Sequence, residues 1–305
     1  MTDAGFRAVY EAAGMYDRLL LPHYFGGVED VELIRSWLKE NYGAQTSALD
    51  VAEFGCGTGR MTEALAPFAR TLVLADNSEA MVSAVARKFP DAQTFCADTT
   101  DAITSLLAAG RAQSFDLVTA FWSLSYPIGQ FFEELTAAGV RPHSDQAAAR
   151  GRAHAFVLGL LRLVAPGGHL LVLLFDAESP EQQLVTWAWE RVAPFPAEGR
   201  SYTRDIVIHA LRAAESQGAG SLTHTRRGGV AWASSGHAAR EWFDGVHFKH
   251  HPRLLADADI ADSVAEFIER YTMPNGGVAL PSGVHVIDFC VGAHPVASLP
   301  DGLLA

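Results

Sequence analysis

Val51-Ala52-Glu53-Phe54-Gly55-Cys56-Gly57-Thr58-Gly59-Arg60 is an apolar run that ends in an acid and then in three glycines spaced two apart. It reads as a buried strand running into a tight loop and then a helix. The glycines carry no Cβ to hold a ligand off the backbone, and they permit the φ > 0 conformations such a loop needs. The dinucleotide fingerprint is G-x-G-x-x-G. Here the third glycine comes one residue early and an acid sits two before the first, so the pattern is E-x-G-x-G-x-G. A glycine loop alone is also compatible with a plain tight turn, so its meaning rests on the residues beyond Arg60.

A helix over Met61 to Phe68 and a strand over Thr71 to Ala75 lead to Asp76. A carboxylate at the tip of a second strand sits where a ribose can offer both hydroxyls, in a charge-assisted pair. Asp76 could also be only a cap, but the interval from Gly59 suits a β-α-β unit. Asp76-Asn77-Ser78-Glu79-Ala80-Met81 opens the next helix, with Ser78 as N-cap. A third strand, Gln93 to Ala97, ends in Asp98-Thr99, where Asp98 equally reads as the cap of a helix over Ala102 to Ala109. The fourth strand, Phe115 to Phe121, continues into Trp122-Ser123-Leu124-Ser125-Tyr126-Pro127. A helix over Gly129 to Ala138, a polar link through Arg141 to Asp145, and a long helix over Ala147 to Val164 come next; Pro166-Gly167-Gly168 stops the last. Strand five, His169 to Phe175, is apolar almost throughout, as a strand covered on both faces must be. Alternating strands and helices of this kind predict an open parallel sheet that binds ligands at its carboxyl edge.

The E-x-G-x-G-x-G loop resembles motif I of the class I S-adenosylmethionine-dependent methyltransferases, and the Pro-Gly-Gly before strand five again resembles that family. The resemblance implies an α/β, Rossmann-like, doubly wound fold. Its mostly parallel seven-stranded sheet would have an antiparallel last strand (Val284 to Gly292), with an N-terminal helical lid and an antiparallel insertion after strand five. The expected division is a lid over 1–47, a cofactor-binding core over 48–176 and 257–293, and a substrate-pocket insertion over 177–256. The implied cofactor is S-adenosyl-L-methionine, leaving S-adenosyl-L-homocysteine. Its residues would be Glu53, Gly55, Gly57 and Gly59 at the amino-acid end, Asp76 and Asn77 at the ribose, and Met81, Asp98 and Thr99 at the adenine. Phe121 would complete the set, with Tyr16 in the Tyr16-Asp17 pair of the lid; Tyr16 could instead simply pack against the domain. Trp122 to Pro127 stands in the place of motif IV beside the transferred methyl. It departs from the Asp/Asn-Pro-Pro-Tyr form of many nucleic-acid and amide methylating enzymes, which argues against that chemistry.

Beyond strand five the pattern breaks. Trp187, Trp189, Phe195, Tyr202, Trp232, Trp242, Phe243 and Phe248 crowd into 177–256, and the runs Ser221 to Ala233 and Glu241 to His251 alternate as antiparallel strands do. In small-molecule members of the family such an insertion forms the acceptor pocket, so Trp122, Tyr126 and Trp242 are the expected substrate contacts. A sulfonium cofactor brings its electrophile ready-made, and a base is needed only where the acceptor must lose a proton. Tyr126 and His247 are the candidate catalytic groups, with His23, His143, His250 and His251 as further histidines. A strand would put His247, Lys249 and His251 on one face. No acidic ligand matches their spacing, so no metal is expected.

The chain of 305 residues, 49% hydrophobic and 19% charged, has the composition of a globular protein. A formal charge of −12 without a basic stripe excludes nucleic acid as the expected partner. The longest apolar run, Leu170 to Phe175, is far short of the ~20 residues needed to cross a bilayer. Cys56, Cys96 and Cys290 form no C-x-x-C pair. The expectation is a cytoplasmic monomer or homodimer, without membrane contact, acting on a small-molecule acceptor of the kind met in secondary metabolism. Whether O, N or C is methylated stays open. So do two alternatives: a non-methylating reaction of the same sulfonium that releases methylthioadenosine, and a non-catalytic cofactor-binding protein.

Overall fold

The computed structural model describes residues 13–43, 47–136, 139–192, 195 and 199–293. Helix α1 (Ala13–Leu19) leads into the short strands β1 (His23–Phe25) and β2 (Val28–Glu29) and then α2 (Asp30–Tyr42). The alternating region comprises β3 (Leu49–Phe54), α3 (Thr62–Leu65), β4 (Ala69–Asp76), α4 (Glu79–Lys88), β5 (Gln93–Cys96), α5 (Thr99–Ala108), β6 (Phe115–Phe121) and α6 (Ser125–Gln130). A hairpin of β7 (Glu133–Thr136) and β8 (Gly139–Pro142) precedes α7 (Gln146–Leu163) and β9 (Val164–Phe175). The chain continues through α8 (Pro180–Glu190), α9 (Tyr202–Ser216), β10 (Gly220–Ala233), α10 (Gly236–Glu241), α11 (Pro252–Leu255), α12 (Ala258–Arg270) and β11 (Val278–Val291).

The main sheet has the order β2-β1-β10-β11-β9-β6-β3-β4-β5. Strands β9, β6, β3, β4 and β5 are parallel to one another, and β11 lies antiparallel between β9 and β10. Successive residues of each central strand serve opposite faces, the period-two rule of a pleated strand. Ala52, Val118 and Val172 pack with Ile103, Phe156, Leu160 and Ile206 on one side. Val51, Leu117 and Leu171 pack with Ile34, Leu38 and Leu65 on the other. A third core forms where the β10–β11 ribbon outruns β9: Ala231, Ala233, Val278 and Leu280 meet Trp242, Phe243, Phe248 and the Ile260, Val264, Ile268 stripe of α12. Side-chain caps start the helices where the sequence predicts them, Ser78 for α4 and Asp98 for α5.

Several elements differ from expectation. The sheet has nine strands, not seven, because β1 and β2 form inside the segment expected to be helical and extend the edge beside β10. Val28 and Glu29, in the segment expected to be a helical lid, thus belong to a hairpin around Gly26 and Gly27, both at positive φ, and α2 follows from Asp30. Helix α6 stops at Gln130, and Glu133–Thr136 pairs with Gly139–Pro142 where one helix was expected. Ser221 to Ala233 is an antiparallel strand as expected, yet it is a member of the main sheet. Glu241 to His251 is not a strand. Gly236–Glu241 and a π turn over Trp242–His247 carry it, closed by Phe248 N–H donating to Phe243 O at 2.8 Å. Three bulky aromatics there must all enter the third core, and a coiled segment buries all of them where an alternating strand could bury only one face's worth.

Candidate functional site

The three glycines have different surroundings. Gly55 (φ +73°) is locked to the sheet: its N–H donates to Ala75 O at 2.7 Å, and a Cβ there would lie 2.2 Å from Ser123 Cβ. Gly59 (φ +84°) is pressed on α4, where a Cβ would come within 2.8 Å of Val85 and Phe89. At Gly57 (φ +53°) an added Cβ would meet no atom within 4 Å. The middle glycine therefore faces open space at the strand tips, while its neighbours hold the loop's shape.

Asp76, at the tip of β4, organises that opening. Its Oδ2 accepts from Gly57 N–H and its Oδ1 from Ser78 N–H, each at 2.9 Å. Burial pushes its pKa up, and the backbone N–H groups oppose the rise. Ala97 N–H donates to Asp76 O at 3.0 Å, which brings the tip of β5 alongside. There Asp98 Oδ1 accepts from Thr100 N–H at 2.8 Å as the cap of α5, and Thr99 is the first residue of that helix. Asn77 lies between Asp76 and the Ser78 cap, and Met81 is buried in the first turn of α4. Glu53 is buried below the loop, where its Oε2 accepts from Thr62 Oγ1 at 2.5 Å. Burial, aided by the charge of Asp76, pushes Glu53 up to about 8 against the opposing Thr62 hydroxyl and Arg60. Thr58 Oγ1 donates to Asp17 Oδ1 at 2.6 Å, so α1 touches the glycine loop. The Tyr16 side chain lies outside the described residues.

The end of β6 adds a polar lock that the sequence did not suggest. Phe121 is buried, and Trp122 follows it at φ +61°, with its N–H on Leu173 O at 2.9 Å. Trp122 Nε1 donates to Asp30 Oδ2 at 3.0 Å, and the same carboxylate takes Arg60 through both guanidinium nitrogens, at 2.7 and 2.5 Å. Asp30 is fully buried, so the bidentate arginine is what lets a charge stay there. A clue lay in Arg60 itself, a cation closing the glycine loop that needs a counter-ion. Only the fold brings Asp30 to it.

Behind Trp122 an aromatic cluster holds two histidines and a glutamate. The Trp122 and Phe175 rings lie 4.4 Å apart, tilted by 35°, and the His23 ring lies 5.8 Å from Trp122, 5.6 Å from Phe175 and 5.5 Å from Trp242. His23 Nδ1 is 2.9 Å from Leu21 O, and burial lowers its pKa while Glu181 and Asp30 work the other way. Trp242 Nε1 donates to Glu181 Oε1 at 2.5 Å, and His247 Nε2 reaches the same oxygen at 3.0 Å. Burial works to raise Glu181, but His247, His23 and the Trp242 N–H outweigh it and hold the carboxyl below its usual range. The π turn explains the pairing: one turn separates Trp242 from His247, so both reach one acceptor.

Tyr126 and His247, expected together, have different partners. Tyr126 is 40% exposed on α6, with Lys249 Nζ 3.8 Å from its ring centroid. Burial lowers Lys249 to about 8, against the pull of Tyr126. His247, Lys249 and His251 do not share a strand face: Lys249 and His250 have positive φ, at the end of the π turn. His143 Nε2 lies 3.2 Å from Gln130 O beside the hairpin. Among the described residues no group of three His, Cys, Asp or Glu side chains is arranged to hold a metal, and no helix is long and apolar enough to cross a membrane.

Residues 51–138 match the family model described as a methyltransferase domain. No curated protein matches the chain. The solved structures similar to it include the [4+2]-cyclase SpnF, 14% identical, with 95% of each chain covered and a TM-score of 0.49. A second is a structure described under the conversion of a disulfide bond into a thioacetal group during echinomycin biosynthesis, 17% identical, covering 97% of this chain and 92% of that one, TM-score 0.47. A third is the N-methyltransferase NodS of Bradyrhizobium japonicum WM9 in complex with S-adenosyl-L-homocysteine, 14% identical, covering 85% and 86%, TM-score 0.41.

Proposed function

We propose that this chain, whose residues 51–138 match a methyltransferase-domain model, is a class I S-adenosylmethionine-dependent methyltransferase that transfers a methyl group to a small-molecule acceptor. The observation that carries the reading is the cradle at the strand tips: Gly57 opens onto free space, and its N–H and that of Ser78 orient the Asp76 carboxylate beside it. The residues fit the cofactor. Gly57 would admit its amino-acid end close to the backbone, Asp76 and Asn77 would take the ribose hydroxyls, and Met81, Asp98 and Thr99 would border the adenine. Gly55, Gly59 and Glu53, expected at the cofactor, instead pack against Ser123, against Val85 and Phe89, and against Thr62, and so shape the loop beneath it, while Phe121 and Tyr16 would complete the set.

When bound, S-adenosylmethionine supplies a methyl group on a sulfonium that is already electrophilic. The chain's own contribution is orientation and exclusion of water, which in a two-reactant displacement is worth roughly 7–11 kcal/mol. Trp122, fixed by Asp30 and packed against Phe175, forms one wall of the acceptor site, and Tyr126 with Lys249 stands at the half-exposed side. Trp242, expected as a substrate contact, is instead fully buried in the third core, where Glu181 holds it behind His23. His247, held by Glu181, positions that carboxylate within the acceptor site.

The test is a thermal-shift comparison of S-adenosylhomocysteine with NAD and NADP. Ligand at ~100 Kd stabilises by about 2.7 kcal/mol, so the expected result is a plain shift with S-adenosylhomocysteine alone. A larger shift with a nicotinamide cofactor overturns the cofactor assignment. Incubation with S-adenosylmethionine and no acceptor, followed by mass spectrometry, then separates the chemistries: rapid enzyme-dependent methylthioadenosine overturns methyl transfer and leaves the cofactor site standing.

A further inference from the structure

Two buried acceptor atoms behind Trp122 have no hydrogen-bond partner among the described residues: His23 Nε2 and Glu181 Oε2. Both side chains are almost wholly buried, at 2% and 0% exposure, and an unpaired acceptor at such depth is costly. The other atom of each side chain is committed. His23 Nδ1 is on Leu21 O, which can only accept, so Nδ1 carries the proton and Nε2 carries a lone pair. Glu181 Oε1 takes both Trp242 Nε1 and His247 Nε2, and Oε2 is left over. Trp242 joins the two: its N–H is on Glu181 and its ring stands edge-on to His23 at 5.5 Å. His23 therefore lies beside the Trp122 and Phe175 rings at the end of β6, where the methyl-transfer reading puts the acceptor, and Glu181 stands on the other side of Trp242 from it.

We infer that this pair receives a primary amine, which donates one N–H to His23 Nε2 and another to Glu181 Oε2, and that the methyl acceptor is accordingly an amine with a flat apolar body. The inference rests on the methyltransferase reading above. The number of unpaired acceptors chooses the class. A hydroxyl has one proton and leaves one of the two atoms unpaired, whereas an amine or its ammonium form satisfies both. The surroundings suit it: a carboxylate offsets the ammonium charge, and the aromatic rings of Trp122 and Phe175 lie beside His23. The charged groups nearest His23 are Glu181, Asp30 and Arg60, and Arg60 is already neutralised by Asp30. Burial keeps the imidazole neutral and so ready to accept. An ammonium must lose a proton before its nitrogen can react. Its third N–H bond breaks as the amine leaves water, the electron pair staying on nitrogen and the proton passing to solvent, so the lone pair is free to face the methyl while the two remaining N–H bonds stay on His23 Nε2 and Glu181 Oε2. Glu181 keeps its own N–H throughout and fixes the nitrogen's direction.

Binding to the complex with S-adenosylhomocysteine tests this without a known acceptor. Benzylamine, benzyl alcohol and toluene serve as probes of equal body, titrated by calorimetry at pH 8 into the wild type and His23→Asn. In that variant the asparagine amide can still donate to Leu21 O, while the Nε2 acceptor is gone. Benzylamine is expected to bind at least tenfold more tightly than the other two, and the preference should fall to within about threefold in His23→Asn with S-adenosylhomocysteine stabilisation unchanged. Glu181→Gln, which leaves an amide acceptor for Trp242, should weaken benzylamine similarly. Benzyl alcohol binding as well as benzylamine, no probe binding to the complex, or a preference that survives in His23→Asn each overturns the inference and leaves the cofactor reading intact. Failure of S-adenosylhomocysteine to stabilise the wild type overturns that reading and the inference with it.

Discussion

Glu53→Gln isolates a single buried proton beneath the glycine loop. Glu53 is held at about 8, whereas an unperturbed glutamate titrates near 4.5. Between those values the folded protein keeps a proton that the unfolded chain has lost, so stability falls as pH rises through that window and levels off above about 8. With about 1.36 kcal/mol for each pH unit, the whole window amounts to on the order of 5 kcal/mol, a large share of the roughly 5–15 kcal/mol that holds a typical protein folded. Glutamine keeps the carbonyl that accepts from Thr62 Oγ1 and replaces the acid proton by an amide N–H, so it stands in for the protonated form at every pH. Urea unfolding of the wild type and the variant at steps from pH 4.5 to 8.5 supplies the assay. Other groups that titrate in the range, Glu133 at about 7 among them, are common to both and cancel in the difference. The variant should match the wild type within about 1 kcal/mol near pH 5 and exceed it by several kcal/mol at pH 8.5. A difference that stays constant across the range would refute the reasoning, since Glu53 would then ionise as an exposed glutamate does.

Gly57→Ala meets no protein atom, so it should cost only the left-handed backbone term, about 1–2 kcal/mol, and yet abolish the thermal shift with S-adenosylhomocysteine. Gly55→Ala, whose Cβ would lie 2.2 Å from Ser123 Cβ, should lower stability more than Gly57→Ala in the same urea titration. Asp76→Asn, which keeps an oxygen for only one of the Gly57 and Ser78 N–H groups, should weaken S-adenosylhomocysteine by roughly 10-fold or more in calorimetry, as loss of a charge-assisted hydrogen bond of about 1.5–3 kcal/mol requires. Asp30→Ala removes the buried carboxylate that accepts from Arg60 and Trp122 Nε1 and should destabilise by about 1.5–3 kcal/mol in denaturant unfolding.

Much of the glycine loop and the strand tips was legible in the sequence because its signals are local. Strand, glycine turn, acid at the next strand tip and N-cap are each set within a few residues by backbone conformation and hydrophobic period. Gly57, Asp76 and Ser78 accordingly stand where the pattern puts them. The burial of strand five on both faces was readable for the same reason, since its apolar run leaves no solvent face. The sequence did not tell the three glycines apart, because that difference lies in what surrounds each: Ser123 at Gly55, Val85 and Phe89 at Gly59, open space at Gly57.

The cluster behind Trp122 was decided by tertiary structure. Asp30, Arg60 and Trp122 are remote in the chain, and so are His23, Glu181, Trp242 and His247; no periodicity links them, and nothing marked Glu181 or Asp30 as other than helix-start acids. The alternation in Glu241 to His251 pointed to a strand, and burial of Trp242, Phe243 and Phe248 in one core turned it into a π turn. Likewise β1 forms only because the edge of β10 is there to pair with it. Short-range rules thus determine where a chain can turn and cap. Which buried atom goes unpaired depends on desolvation, and that is settled only when distant segments close over it.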